Sequence, residues 1–107
     1  MAVLDSEVAR RARAAAEVLA REGVVRAAYV FGSQVDGRAD ASSDIDVAAF
    51  MDDVASWDIW RRTRVIVSVQ KQVGYDIEPH LFPASALHDP EAGSFAADIL
   101  HHGIRIL

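Results

Sequence analysis

The stretch that decides the fold of this chain is residues 31–47, Phe31-Gly-Ser-Gln-Val-Asp-Gly-Arg-Ala-Asp-Ala-Ser-Ser-Asp-Ile-Asp-Val47. Its middle, residues 32–43, is rich in Gly, Asp and Ser, which is typical of a loop, with room for one helical turn. The runs on either side, residues 24–31 and 44–50, are short, apolar and rich in β-forming residues. They therefore predict two consecutive strands joined by a polar loop.

The second of these strands begins with a pair of carboxylates, Asp44 and Asp46. Residues two apart on a strand point to the same face, so these side chains stand together while Ile45 and Val47 face the core. Adjacent carboxylates repel each other unless a cation lies between them, and magnesium takes oxygen ligands of this kind. The pair predicts half of a metal site, although exposed strand edges also carry such acids.

Gly32 and Ser33 follow the first strand directly. Glycine lets the backbone approach a ligand closely, and free N–H groups with a serine hydroxyl can hold a phosphate. Alone, the dipeptide is better explained by an ordinary turn from strand to loop. Combined with the carboxylates at the start of the next strand, it predicts a site for a nucleoside triphosphate and its metal ion.

Working outward, Asp5 or Ser6 is suited to cap a first helix that ends near Arg21. Residues 57–73 predict another helix, although residues 65–69 would also suit a strand. The remaining predicted features are a cap at Ser56, a strand over residues 75–82, a helical turn after Pro83, a helix over residues 94–102 and an apolar tail at Ile104, Ile106 and Leu107. This order predicts one α/β (α+β) domain over residues 1–107, with a small mixed β-sheet flanked by helices.

Composition narrows the function. With 11 Lys and Arg against 16 Asp and Glu, the chain of 107 residues carries a net charge of -5, so the cationic surface of a nucleic-acid binder is missing and we expect no such partner. The absence of cysteine excludes disulfides and thiol nucleophiles. No apolar run reaches the roughly 18 residues of a membrane span, and we expect a cytoplasmic protein without a membrane partner.

Together the motifs resemble the signature of the minimal nucleotidyltransferases, in the superfamily that includes polymerase β. The parts of that signature stand here as Gly32-Ser33, Gly37-Arg38-Ala39 and Ser43-Asp44-Ile45-Asp46-Val47. The predicted order of helices and strands extends the resemblance over nearly the whole chain. It implies a fold like the polymerase β palm, with Gly32, Ser33 and Ser43 binding the nucleotide.

The resemblance also implies a reaction. Two magnesium ions are held by Asp44, Asp46 and a third carboxylate, and a nucleoside monophosphate is transferred from a triphosphate, by expectation AMP from ATP, to a hydroxyl. The acceptor is a protein or a small molecule. Minimal members of the family are often encoded beside a helical HEPN protein and act as the antitoxins of toxin–antitoxin pairs. We therefore expect such a partner or a homo-oligomer.

Two other functions remain open. The chain could be a nucleotidyltransferase-fold binding module that has lost catalysis and neutralises a partner by docking, although retention of Gly32, Ser33, Asp44 and Asp46 argues against this. It could also modify a small molecule in the manner of aminoglycoside nucleotidyltransferases, which generally have an additional helical domain.

The third carboxylate is Glu78 or Asp76. The strand pattern places both acids and His80 on one face. In similar minimal enzymes this carboxylate lies at a fixed distance from the preceding glycine and from the carboxylate pair, and counting from Gly74 and from Asp46 favours Glu78 as metal ligand and base. Pro79 indicates an edge strand or a bulge, which keeps Asp76 as the alternative. For His80, packing within the strand is favoured over a role near the nucleotide.

Two further groups of residues have ordinary structural interpretations. The arginines at positions 10, 11 and 13 are predicted to form a solvated helix face, as are those at positions 61, 62 and 64. Trp57 and Trp60 lie one helical turn apart, so we expect both in the core, with a patch that binds a partner as the alternative.

Overall fold

The computed structural model describes residues 4–107. Within this range the helices are α1 (Ser6–Ala20), α2 (Ser33–Asp36), α3 (Ile59–Val73) and α4 (Phe95–His102), and the strands are β1 (Val25–Phe31), β2 (Ile45–Met51), β3 (Ile77–Pro83) and β4 (Ile104–Arg105). Single 3-10 turns, Val54–Ser56 and Ala84–Leu87, precede α3 and follow β3. The predicted small mixed sheet flanked by helices is confirmed.

The sheet has the order β3-β2-β1-β4. β1 runs antiparallel to β2 and β4, whereas β2 and β3 are parallel, with Ile45 opposite Ile77 and Asp46 opposite Glu78. In a parallel pair the starts of both strands lie at the same end of the sheet. Residues from two segments that are distant in sequence therefore meet where β2 and β3 begin.

Each face of the sheet has its own core. One face carries alternate residues of β2, including Val47 and Ala49, and packs against α1 and α3 through buried residues such as Ala12 and Val65. The other face carries Ala48 and Phe50 of β2 and packs against α4. Since Asp46 alternates with Val47, its side chain belongs to the second face.

Several element boundaries differ from the predictions. β2 and β3 begin at Ile45 and Ile77, so that Asp44 and Asp76 lie before their strands. α3 is helical through residues 65–69, which excludes the alternative strand. Its cap is Asp58, whose carboxylate accepts a hydrogen bond of 2.8 Å from the Arg61 N–H, while Ser56 lies in the preceding 3-10 turn.

The two tryptophans have different environments. Trp57 precedes α3 and is 7% exposed within the core, as expected, but Trp60 is 80% exposed and its predicted core position is wrong. Because α3 begins only at Ile59, the two residues are not one helical turn apart on the same helix. Among the helices of residues 4–107, none has the length and hydropathy that crossing a bilayer requires.

Candidate active site

The acidic residues of the decisive stretch meet an acid of β3 at one end of the sheet. Asp44 is the last residue before β2, Asp46 is its second residue, and Glu78 lies opposite Asp46 in the parallel register. Glu78 raises the pKa of Asp44, first through a hydrogen bond between the two carboxyl groups and then through its negative charge. Such mutual repulsion is what a bound cation would relieve.

His80 adds a nitrogen to this group. Its Nε2 lies 3.2 Å from Oδ1 of Asp46, and Asp46, Glu78 and His80 each present one ligand atom, all within 4.8 Å of one another. Both side chains of the hydrogen-bonded pair are partly buried. These three residues, referred to below as the acid–histidine cluster, form a donor set able to hold a divalent ion.

Gly32 allows the loop after β1 to approach the cluster. A Cβ at this position would lie 2.8 Å from Oδ2 of Asp46, and the backbone adopts a φ of 79°. Side-chain contacts and backbone conformation therefore both require glycine here. The chain then turns at once into α2, whose Val35 N–H donates to the Gly32 carbonyl over 3.0 Å.

Ser33 and Ser43 border a cavity of about 440 Å³ that lies beside the loop and the start of α1. Ser43 is held within the loop, because its hydroxyl accepts a hydrogen bond of 2.9 Å from the Asp40 N–H. Gln34 fixes the end of the loop by donating to the Asp44 carbonyl over 3.2 Å. The loop thus places both serines in the lining of one cavity, whose volume is large enough for part of a nucleotide.

Asp76 does not share the position of Glu78. Its carboxylate forms an ion pair with Arg11 of α1, in which one Arg11 nitrogen donates over 2.7 Å and the other makes a shorter contact. The Arg11 guanidinium, mainly through these hydrogen bonds, lowers the pKa of Asp76. The expectation that Asp76, Glu78 and His80 share a strand face is therefore wrong for Asp76, and so is the expectation that Arg11 is solvated.

An aromatic group that the sequence analysis missed lies beside the acid–histidine cluster. The ring of His80 makes edge contacts with Phe31 at 5.0 Å and with Phe95 at 5.9 Å, and Phe31 contacts Phe95 at 5.3 Å between ring centroids. Phe95 begins α4, far from the signature in sequence, and no pattern in the chain relates it to His80. A second cavity of about 530 Å³ adjoins this group and is lined in part by Phe31, Gly32 and Arg38.

Comparison with known proteins identifies the family of the chain. The family model described as "Polymerase beta, Nucleotidyltransferase" matches residues 14–107, which include the loop, the carboxylates and the whole sheet. The chain belongs to this family. The match extends well beyond the signature itself and covers all four strands of this nucleotidyltransferase domain.

A solved structure supports the fold independently. The chain is similar to the crystal structure of a candidate nucleotidyltransferase from Sulfolobus solfataricus, with a TM-score of 0.58 and 14% sequence identity, over 92% of this chain and 82% of that one. At this identity the similarity concerns the fold. Among curated proteins, none matches this nucleotidyltransferase domain in sequence.

Proposed function

We propose that this domain is a magnesium-dependent nucleotidyltransferase that moves a nucleoside monophosphate, AMP from ATP, onto a hydroxyl group of its acceptor. The observation that carries the proposal is the meeting of Asp44, Asp46 and Glu78 at the start of β2 and β3, beside the loop that begins with Gly32. Family membership supplies the reaction class, and this arrangement supplies the residues for it.

The residues present fit a divalent ion. Asp46 and Glu78 offer carboxylate oxygens within 4.8 Å of each other, and Asp44 interacts with Glu78 closely enough for its pKa to be raised. Acids gathered at one place without a compensating cation are unfavourable, so the donor chemistry favours a bound metal. Asp44, Asp46 and Glu78 would hold it, with Asp76 excluded from our proposal because it pairs with Arg11.

In the proposed reaction, Glu78 accepts the proton of the acceptor hydroxyl, whose oxygen attacks the α-phosphorus. The new oxygen–phosphorus bond forms as the bond from the α-phosphorus to the bridging oxygen breaks, and pyrophosphate leaves with that electron pair. The backbone and hydroxyl of Gly32-Ser33, with Ser43, orient the phosphates. When bound, magnesium neutralises the charge that develops on the phosphate oxygens.

The proposed acceptor is a hydroxyl on a helical partner protein, as in HEPN pairs in which the nucleotidyltransferase is the antitoxin. Two features support a protein partner. The acid–histidine cluster is only partly buried, and α3 exposes Ile59 and Trp60 to solvent. Aromatic residues and arginines are enriched where proteins meet, and Arg61 and Arg64 adjoin Trp60. The surface around Trp60 would also serve a module that acts by docking alone.

Calorimetric titration with ATP, with and without magnesium, tests the metal dependence. We expect binding to require magnesium in the wild type and to be lost in the double variant Asp44→Asn, Asp46→Asn. Asp89→Asn, which changes an exposed acid outside the acid–histidine cluster, is the matched control and should bind as the wild type does. Equal affinity with and without magnesium would refute the proposal.

The acceptor is tested by intact-mass measurement of a co-expressed neighbouring protein after incubation with ATP and magnesium. We expect an added mass of AMP on that protein, which the double variant fails to add. A tight complex whose mass does not change would identify the docking module instead.

A further inference from the structure

His80 lies beside the carboxylates of the proposed metal site. A histidine that only packed within its strand would not need this position. His80 follows Glu78 by two residues on β3 and lies opposite Ala48, so that its side chain points to the same face as Asp46 and Glu78. Its Nε2 reaches Oδ1 of Asp46 at 3.2 Å. The nitrogen is thus directed toward the carboxylates.

The surroundings of His80 fix the direction of its ring. Phe31 and Phe95 contact it edge-on, with centroids at 5.0 and 5.9 Å. A ring held in this way loses little conformational freedom when it binds an ion, because its rotamer is already restricted. The side chain is also only partly buried, so that solvent and ions can reach part of the ring.

The separations match those of ligands around one ion. Two ligands bonded at about 2.1 Å and at right angles lie roughly 3 Å apart, close to the 3.2 Å between His80 Nε2 and Asp46 Oδ1. The Glu78 carboxylate completes the set within 4.8 Å. A hydrogen bond alone would also explain the His80–Asp46 contact, in which case His80 would only position Asp46.

We propose that His80 is a direct ligand of the metal in this site and gives the site a preference for Mn²⁺ over Mg²⁺. Magnesium takes oxygen ligands almost exclusively, whereas Mn²⁺, although it also favours oxygen, is a transition-metal ion that accepts an imidazole nitrogen more readily than magnesium does. The inference rests on the proposed function, because it concerns the same metal site. It goes further in adding a ligand outside the carboxylate set and in naming the preferred ion.

The test uses the whole chain with Mn²⁺ alone, without nucleotide. Binding is measured from the electron paramagnetic resonance signal of free Mn²⁺, and coordination from the electron spin echo modulation caused by a directly bound ¹⁴N. We expect the ¹⁴N modulation in the wild type and its loss in His80→Gln. The affinity for Mn²⁺ should fall by about 10-fold in this variant, and the affinity for Mg²⁺, measured by competition, should fall by less.

His88→Gln removes an exposed histidine of a different surface and should keep both the modulation and the affinity. Absence of ¹⁴N modulation from wild-type protein with Mn²⁺ bound would overturn the proposal without involving any variant, as would modulation that persists in His80→Gln. The proposed function is judged separately by ATP binding and AMP transfer. The proposed function stands if ATP binding and AMP transfer require Asp44 and Asp46, even when no nitrogen binds the ion.

Discussion

Asp76 and Glu78 are separated by one residue but face different charges. Asp76 lies beside the guanidinium of Arg11, which compensates its charge. Glu78 lies beside Asp44 and Asp46, which increase the local negative charge. The charge of Asp76 is therefore compensated within the protein, whereas the proposed function assigns Glu78 to the metal ion and to the proton of the acceptor. Their substitutions should have different consequences.

Glu78→Gln should lower the rate of AMP transfer by on the order of 100-fold or more, because the proposed metal ligand and proton acceptor is lost. Asp76→Ala should retain most of the activity once its folded fraction is taken into account. Both variants are compared in one transfer assay with ATP and magnesium at saturating concentrations. Loss of transfer in Asp76→Ala alone would make Asp76 the third carboxylate.

The ion pair of Arg11 and Asp76 should contribute to stability instead. Arg11 is 23% exposed and Asp76 is 42% exposed, so the pair is partly screened by solvent, and we expect Asp76→Ala to cost about 1–2 kcal/mol of unfolding free energy. Arg11→Ala and the double variant of Arg11→Ala with Asp76→Ala complete a double-mutant cycle. Urea unfolding measures the free energy of each protein. A coupling energy near zero would contradict this role.

These residues also show which parts of the site were predictable. Strand periodicity was enough to place Glu78 and His80 on one face of β3, because alternation is a local property, whereas the choice of Glu78 over Asp76 came from the spacing that the family resemblance implies. The pairing of Asp76 with Arg11 joins residues 65 positions apart and depends on where β3 begins and how α1 packs. The aromatic contacts of Phe95 with His80 likewise arise only from tertiary packing, which no local pattern records.

At the scale of elements, α3 shows how packing decides an ambiguous sequence. Residues 65–69 are β-branched and apolar at nearly every position, yet only Val65 and Val69 are fully buried. Their spacing of four residues is the helical repeat, and the cap at Asp58 fixes where the helix begins. Propensity alone did not decide between helix and strand. The helix is formed because it uses the cap at Asp58 and buries Val65 and Val69 together.

The two tryptophans before and within α3 give a matched pair for testing this boundary. Trp57→Ala should reduce the unfolding free energy by roughly 3 kcal/mol or more, because a large buried side chain leaves a cavity. Trp60→Ala should change it by less than about 0.5 kcal/mol, since the side chain is almost fully exposed. Urea unfolding of both variants measures the difference. Equal destabilisation would mean that Trp60 is buried, for example in an oligomer.

β3 is an edge strand whose prolines limit pairing with further strands. The Ile45 N–H donates to the Asp76 carbonyl. By alternation, the backbone groups of residues 78, 80 and 82 form hydrogen bonds to β2, and those of residues 77, 79, 81 and 83 point to the free edge of the sheet. Two of these outward residues, Pro79 and Pro83, have no N–H to offer. The register toward β2 is unshifted, which confirms the predicted edge position and excludes a bulge along this pair. Pairing of this edge with a strand of another molecule is disfavoured.

At the scale of the whole molecule, charge is distributed unevenly. The chain has a net charge of -5, but α3 carries Arg61, Arg62, Arg64 and Lys71 and no acid. The carboxylates of the site lie instead at the starts of β2 and β3. A metal-free triphosphate would approach this acidic end against repulsion, which is a further reason to expect binding with magnesium only.

The same concentration of acids predicts that the metal stabilises the entire domain. The ligands come from two strands that are adjacent only in the folded state, so an ion bound there favours folding, by about 2.7 kcal/mol at a concentration 100 times its Kd. For a domain of this size, that corresponds to a rise in Tm on the order of 10 °C. We expect magnesium to raise the Tm in this way in the wild type and in Asp89→Asn. Thermal unfolding with and without magnesium measures the change.

Glu78→Gln should lose most of this stabilisation, because one ligand and one negative charge are removed together. Without metal, the same variant should be at least as stable as the wild type, since the carboxylate that raises the pKa of Asp44 is gone. Sodium chloride at matched ionic strength separates specific binding from screening, which would raise the Tm of wild type and variant alike. An equal response of both proteins to magnesium would show that the acids at this end of the sheet do not form a metal site.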